Sequence, residues 1–121
     1  MKLDFNTATP EGEQPVEFVG VEEKPHAAHG PGVVLNFRLL APDYEGTRAT
    51  TYCKVETWAG TKLVRMMAQL KGSAITKGEL DPQDFVGVCG TAMVVLNEGG
   101  YLNVESFKRD VKQPAVDDVP F

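Results

Sequence analysis

The side chains best suited to chemistry in this sequence are three cations and a phenol ring: Arg38, Arg48, Lys54 and Tyr52. They fall in two short segments, VVLNFRLLA (33–41) and TRATTYCKVETW (47–58), both rich in β-forming residues. Side chains alternate between the faces of a strand. Val33, Leu35, Phe37 and Leu39 therefore share one face of the first segment, with Asn36 and Arg38 on the other. In the second, Ala49, Thr51, Cys53 and Val55 face inward, and Arg48, Thr50, Tyr52 and Lys54 face outward. Laid side by side, the two strands present all the outward residues together. That set suits single-stranded nucleic acid, because cations neutralise phosphates and a ring offers a base a stacking platform worth roughly 1–3 kcal/mol. The same pattern also arises wherever a half-exposed antiparallel strand turns polar residues to water, so it weighs the two readings evenly.

Other combinations carry less. His26 and His29 lie three apart in PHAAHGPG (25–32), but a structural zinc site needs four ligands and no cysteine or third histidine is near. Glu22 and Glu23 are adjacent, so a strand sends them to opposite faces and no carboxylate pair forms. No phosphate-binding loop, nucleophile elbow or HExxH helix occurs. The residues therefore point to no enzyme, no metal and no cofactor. Cys53 and Cys89 fit no disulfide framework and read as reduced core residues, which suits a cytoplasmic protein.

The elements that must position the face follow from periodicity. PVEFVGVEEK (15–24) alternates as a first strand, PHAAHGPG is a loop, 33–41 is a second strand, PDYEG (42–46) a turn and 47–58 a third strand. TKLVRMMAQLKG (61–72) is helical: Leu63, Met66, Met67 and Leu70 recur at three- and four-residue steps, with Thr61 as N-cap and Gly72 as stop. SAITKGELDPQD (73–84) connects to a long strand, FVGVCGTAMVVLN (85–97), in which Gly87 and Gly90 mark bends. NEGG (97–100) turns the chain into a fifth strand, YLNVESFKR (101–109). The predicted fold class is all-β with one helix: a five-stranded OB-fold barrel with the helix between strands three and four, the rival being another small α+β barrel or an open sheet. Three segments result: an extended lead-in (1–14), an OB-fold domain (15–109) and a flexible acidic tail (110–121).

In an OB-fold, oligonucleotides lie on the face of strands two and three and on the loops joining strands one–two and four–five. Those loops, Lys24–Gly32 and Asn97–Tyr101, add Lys24, His26, His29 and Tyr101 to the candidate face. Trp58 either caps the barrel bottom, the commoner fate of such a ring, or extends the stacking face. Exposed edges at Val16–Val21 or Tyr101–Phe107 would allow strand pairing between chains and hence a homo-oligomer.

A net charge of −5 argues at first against nucleic acid. Its distribution weakens the objection: residues 1–14 carry −2, residues 110–121 carry −2, and residues 15–109 carry −1. No apolar run approaches the ~20 residues of a membrane span, and the first 13 residues hold acids and no apolar stretch, so neither membrane nor signal peptide is expected.

After Asp110 the periodicity stops, and the sequence closes on AVDDVPF. DDVPF resembles the acidic tip of bacterial single-stranded DNA-binding proteins, which typically reads Asp-Asp-Ile-Pro-Phe. The likeness covers Asp117, Asp118, Pro120 and Phe121, with Val119 in place of Ile. Residues 15–109 also look like small phage-encoded OB proteins found near replication and recombination genes. The resemblance implies sequence-independent coating of single-stranded DNA and recruitment of replication, recombination and repair proteins through the tip, in a bacterial cell hosting the phage if phage-encoded. Two features depart from the family: residues 110–116 are short where relatives have a long Gly/Gln/Pro-rich linker, and the stacking set here is poorer in Trp and Phe. Physically, the Phe121 ring suits an apolar pocket and its carboxylate a cationic rim, Asp117 and Asp118 add longer-range attraction, and Pro120 limits the freedom lost on docking. Two other functions fit the pattern, an OB-fold adaptor that has lost DNA binding and an RNA-binding OB protein.

Overall fold

The computed structural model describes residues 1–3, 10–24, 30–58, 60–75 and 80–110 of the chain. Five strands and one helix follow in order: β1 (Gly12–Lys24), β2 (Gly32–Leu39), β3 (Arg48–Lys54), α1 (Lys62–Lys71), β4 (Cys89–Leu96) and β5 (Leu102–Arg109). Single 3₁₀ turns sit at Pro42–Tyr44 and Pro82–Phe85. The strands close into a barrel in the order β1-β2-β3-β5-β4, with β4 returning to β1. All pairings are antiparallel except β3 with β5, which meet in parallel at Thr50 and Asn103. With α1 between β3 and β4, this is the OB arrangement expected from the order of the elements.

Alternation fills the barrel. Val16 and Phe18 of β1, Leu35, Phe37 and Leu39 of β2, Ala49, Thr51 and Cys53 of β3, Ala92 and Val94 of β4, and Val104 and Phe107 of β5 are all buried. Three rings form the centre: Phe18 meets Phe37 edge-on at 5.3 Å between centroids, and Phe37 lies 5.5 Å from Phe107. Met66, Met67 and Leu70 of α1 are buried against this cluster, and Leu63 packs partly on it, so the helical stripe plugs the barrel as its spacing requires. Thr61 Oγ1 accepts from the Val64 amide, and Gly72 ends the helix in the left-handed region at φ 85°. The Arg109 guanidinium donates to the carbonyls of Leu70 and Lys71, and the Phe107 amide donates to Gln69 Oε1, fastening the helix to β5.

A small barrel closes only if strands bend. β1 serves two partners, pairing through Gly12–Glu17 with β4 and through Val16–Lys24 with β2, with a bulge between Phe18 and Gly20. At Gly90 any Cβ would run into the Lys108 carbonyl and the Phe107 ring, so β4 and β5 come this close there only because the side chain is absent.

Boundaries differ from the periodic reading by a residue or two at most strand ends, and the differences at β1, β3 and β4 have clear causes. β1 starts at Gly12, because residues 12–14 already pair with β4. β3 stops at Lys54: the Val55 amide donates to the Pro31 carbonyl and the Glu56 amide turns back to Lys54, so Val55 is half exposed rather than inward. β4 starts at Cys89 rather than residue 85, because Pro82–Phe85 is a 3₁₀ turn and Gly87 takes a positive φ of 99°. Of the two edges offered for pairing between chains, that of β1 is engaged within the barrel, while β5 is paired on its β4 side and meets β3 on the other only at Thr50 and Asn103. Phe18 exchanges backbone bonds with Gly87 and Val88, the Val21 amide donates to the Gln83 side chain, and β5 pairs along its length with β4.

Candidate nucleic-acid interface

The register of β1, β2, β3 and β5 arranges the outward side chains in four rows. Glu17, Arg38 and Arg48 form the first; Gly20, Asn36, Thr50 and Asn103 the second; Glu22, Val34 and Tyr52 the third; Lys24, Gly32 and Lys54 the fourth. The two central rows therefore hold no cation and a single acid, Glu22, which pairs with Lys24, and they lie between a row with two cations at each end. Arg48 and Lys54 stand at opposite ends of β3, roughly 20 Å apart at ~3.3 Å per residue.

Tyr52 is the centrepiece. The phenol end of its ring lies directly over Gly32, where a Cβ would overlap the ring, and its hydroxyl donates to the Gly30 carbonyl at 3.3 Å. The glycine thus seats the aromatic flat against the sheet and leaves its outer face to solvent. Asn36 and Thr50 flank it, both half-buried.

The other expected rings are exposed at the two ends. Because Thr50 and Asn103 pair in parallel, β5 begins beside the start of β3, which puts Tyr101 at the Arg48 end. Tyr101 is 70% exposed, held in a turn where Asn97 Oδ1 accepts from the amides of Gly99 and Tyr101. Trp58 follows β3 at the Lys54 end and is 67% exposed, so it caps nothing. The chain there is pinned by Thr61, whose amide donates to the Trp58 carbonyl and whose hydroxyl donates to the Glu56 carbonyl.

Electrostatics modifies the face more than its pattern suggests. Arg38 is bound to Glu17, its register partner, through Nε at 2.8 Å and Nη2 at 2.6 Å. Lys24 pairs with Glu22 at 3.0 Å, and Lys54 approaches Glu56 at 3.8 Å. Arg48 alone of the four has no ion-pair partner among the described residues, and it stands directly opposite Arg38. Like charges set opposite each other in a sheet cost stability, and an anion between them removes that cost. These exposed pairs are worth little individually, so a phosphate can compete for the cations.

Two residues join the face that periodicity alone did not nominate. Asn103 arrives through the parallel closure of the barrel. Lys62, the first residue of α1, lines a depression of about 360 Å³ with Tyr52, Lys54 and Glu56. Both positions depend on how distant elements meet, and neither carries a local signal beyond being polar.

The cysteines play no part in this face. Cys53 is buried in the core, and burial pushes its thiol above the ordinary value, with Lys62 and Arg65 pulling the other way. Cys89 is half-buried; desolvation raises it too, aided by Glu17 and Asp110 and opposed by Arg38. Among the described residues no group of three or more His, Cys, Asp or Glu side chains is placed to hold a metal, and no helix is long and apolar enough to cross a membrane. His26, His29 and the tip Asp117, Asp118, Val119, Pro120 and Phe121 lie outside the described residues.

No protein-family model matches this sequence, and no curated protein is recognisably similar to it.

Proposed function

We propose that the chain binds single-stranded DNA without sequence preference along the β2–β3 face, as a coating and protecting protein in DNA replication, recombination or repair. The observation that carries this reading is the arrangement around Tyr52: a ring seated on Gly32, flanked by Asn36 and Thr50, between Arg38 and Arg48 at one end and Lys24 and Lys54 at the other. Phosphates meet the cations, bases stack on Tyr52, and Tyr101 and Trp58 offer further rings at the ends. The cytoplasm, bacterial if the chain is phage-encoded, is where such a strand and reduced thiols would both be found.

The tip is assigned a separate role, docking replication and repair proteins. Support comes from its residue types and from the resemblance of DDVPF to the acidic tip of bacterial single-stranded DNA-binding proteins. Its acids also account for part of the net negative charge of the chain.

One observation favours a second reading. Lys24, Arg38 and Lys54 each have a carboxylate nearby, as expected of a surface that only solvates the barrel and leaves the tip to act as an adaptor. Charge reversal at Arg38, Arg48 and Lys54 separates the two. Loss of oligo-dT binding with tip docking intact supports the strand-binding face. Unchanged binding, or none in the parent protein, favours the adaptor. Competition between DNA and RNA oligonucleotides tests the nucleic-acid preference.

A further inference from the structure

Resting on the strand-binding reading and refining it at a single position, we infer that the depression beside Tyr52 favours guanine there, with the Glu56 carboxylate as the reading group, while the rest of the strand is held without sequence preference. Four side chains line this space of about 360 Å³: Tyr52, Lys54, Glu56 and Lys62, within the range of small-ligand pockets. Each supplies something a nucleotide needs. Tyr52 gives a ring face fixed over Gly32. Lys54 and Lys62 give two cations, and Lys62 has no ion-pair partner among the described residues. Glu56 gives two acceptor oxygens and no donor.

A carboxylate is a poor neighbour for phosphates, so its presence on a strand-binding face calls for a donor. Of the four DNA bases, only guanine presents two adjacent N–H donors on its pairing edge, the ring N1–H and the exocyclic N2–H, matching the two oxygens of one carboxylate. Thymine offers one ring N–H there; adenine and cytosine offer an amino group beside an acceptor nitrogen, which a carboxylate repels. Guanine's O6 then faces a lysine. The backbone of Glu56 is held at both ends, its amide donating to the Lys54 carbonyl at 2.9 Å and its carbonyl accepting from Thr61 Oγ1 at 2.8 Å. Its side chain therefore leaves from a fixed point at the base of the face. Lys54 Nζ lies 3.8 Å from Glu56 Oε2, beyond hydrogen-bonding distance, and so does not take up that oxygen.

The test uses the full chain and a set of ten-nucleotide strands: oligo-dT, the same strand with one guanine at each position in turn, and the same with inosine, which keeps N1–H and O6 and lacks the N2 amino group. One guanine position is expected to bind about five- to tenfold tighter than thymine, in line with a bidentate contact that is partly open to water. Inosine there is expected to lose most of the gain, and Glu56→Gln to bring the guanine-to-thymine ratio close to one. Free deoxyguanosine monophosphate is expected not to compete at the same concentrations, because it lacks the flanking phosphates and stacked bases; tight competition would overturn a strand-bound base in favour of a free nucleotide. Oligo-dT binding with no guanine preference at any position, or a preference that inosine or Glu56→Gln retains in full, overturns the pocket and leaves the strand-binding reading standing. Binding of none of the strands at low salt overturns both.

Discussion

Replacing Tyr52 by alanine isolates the ring from the charges around it. One face of the ring rests over Gly32, so only the outer face is free to stack, and it serves one base. Removing it should cost the stacking of that base, roughly 1–3 kcal/mol, or about a 5- to 150-fold rise in Kd for oligo-dT. Tyr52→Phe keeps the ring and loses only a long, half-buried hydroxyl bond to Gly30 at 3.3 Å, at the low end of the ~0.5–1.5 kcal/mol such bonds contribute. It should bind within about threefold of the parent. No cation is removed in either variant, so the slope of log affinity against log salt should stay as it was. Arg48→Ala, by contrast, should weaken binding and flatten that slope by about 0.7, the share of one phosphate contact on a single strand. The assay is a fluorescence titration of oligo-dT at four salt concentrations, with thermal melting of each variant to confirm folding. Parent-like binding by Tyr52→Ala, or an equal loss in Tyr52→Phe, would refute the role of the ring.

Other consequences follow from the packing. Thr51 is buried with its hydroxyl unpartnered, so Thr51→Val should raise stability by about 1 kcal/mol in urea titration. Gly90→Ala should destabilise by about 1–3 kcal/mol or more, because its methyl meets the Lys108 carbonyl and the Phe107 ring. Gly32→Ala should unseat Tyr52 and weaken oligo-dT binding nearly as much as Tyr52→Ala, with the salt slope again unchanged. The raised thiol of buried Cys53 stays neutral in the fold while the unfolded chain ionises at the ordinary value. Its contribution to stability is present below that value and fades as pH climbs past it, and alkylation of Cys53 in the native state should lag far behind that of the unfolded chain.

Much of this architecture could be read from local pattern. The two-residue period of 33–41 placed Leu35, Phe37 and Leu39 inside, and the helical stripe of Leu63, Met66, Met67 and Leu70 found the barrel plug together with its Thr61 cap. What local pattern missed is tertiary. Val55 has the residue type of a core position, yet β3 ends one residue before it because Pro31 captures its amide. Val86 and Val88 look like strand, but a Pro-led 3₁₀ turn and Gly87 delay β4. On the face, the cations and Tyr52 were legible as outward residues. Their carboxylate partners were not: Glu17 lies 21 positions from Arg38 and meets it only through the β1–β2 register. Asn103 and Lys62 joined only when the barrel closed and the helix docked. Gly32 read as the end of a loop, and its use as a seat for Tyr52 depends on the pairing of β2 with β3.

The central claim is that the β2–β3 face holds a single strand of DNA, and a titration of the full chain with oligo-dT at low salt tests it most directly, where phosphate contacts are strongest. We expect saturable binding that weakens steeply as salt is raised and that charge reversal at Arg38, Arg48 and Lys54 abolishes. No binding at low salt, or binding that those changes leave untouched, would contradict it.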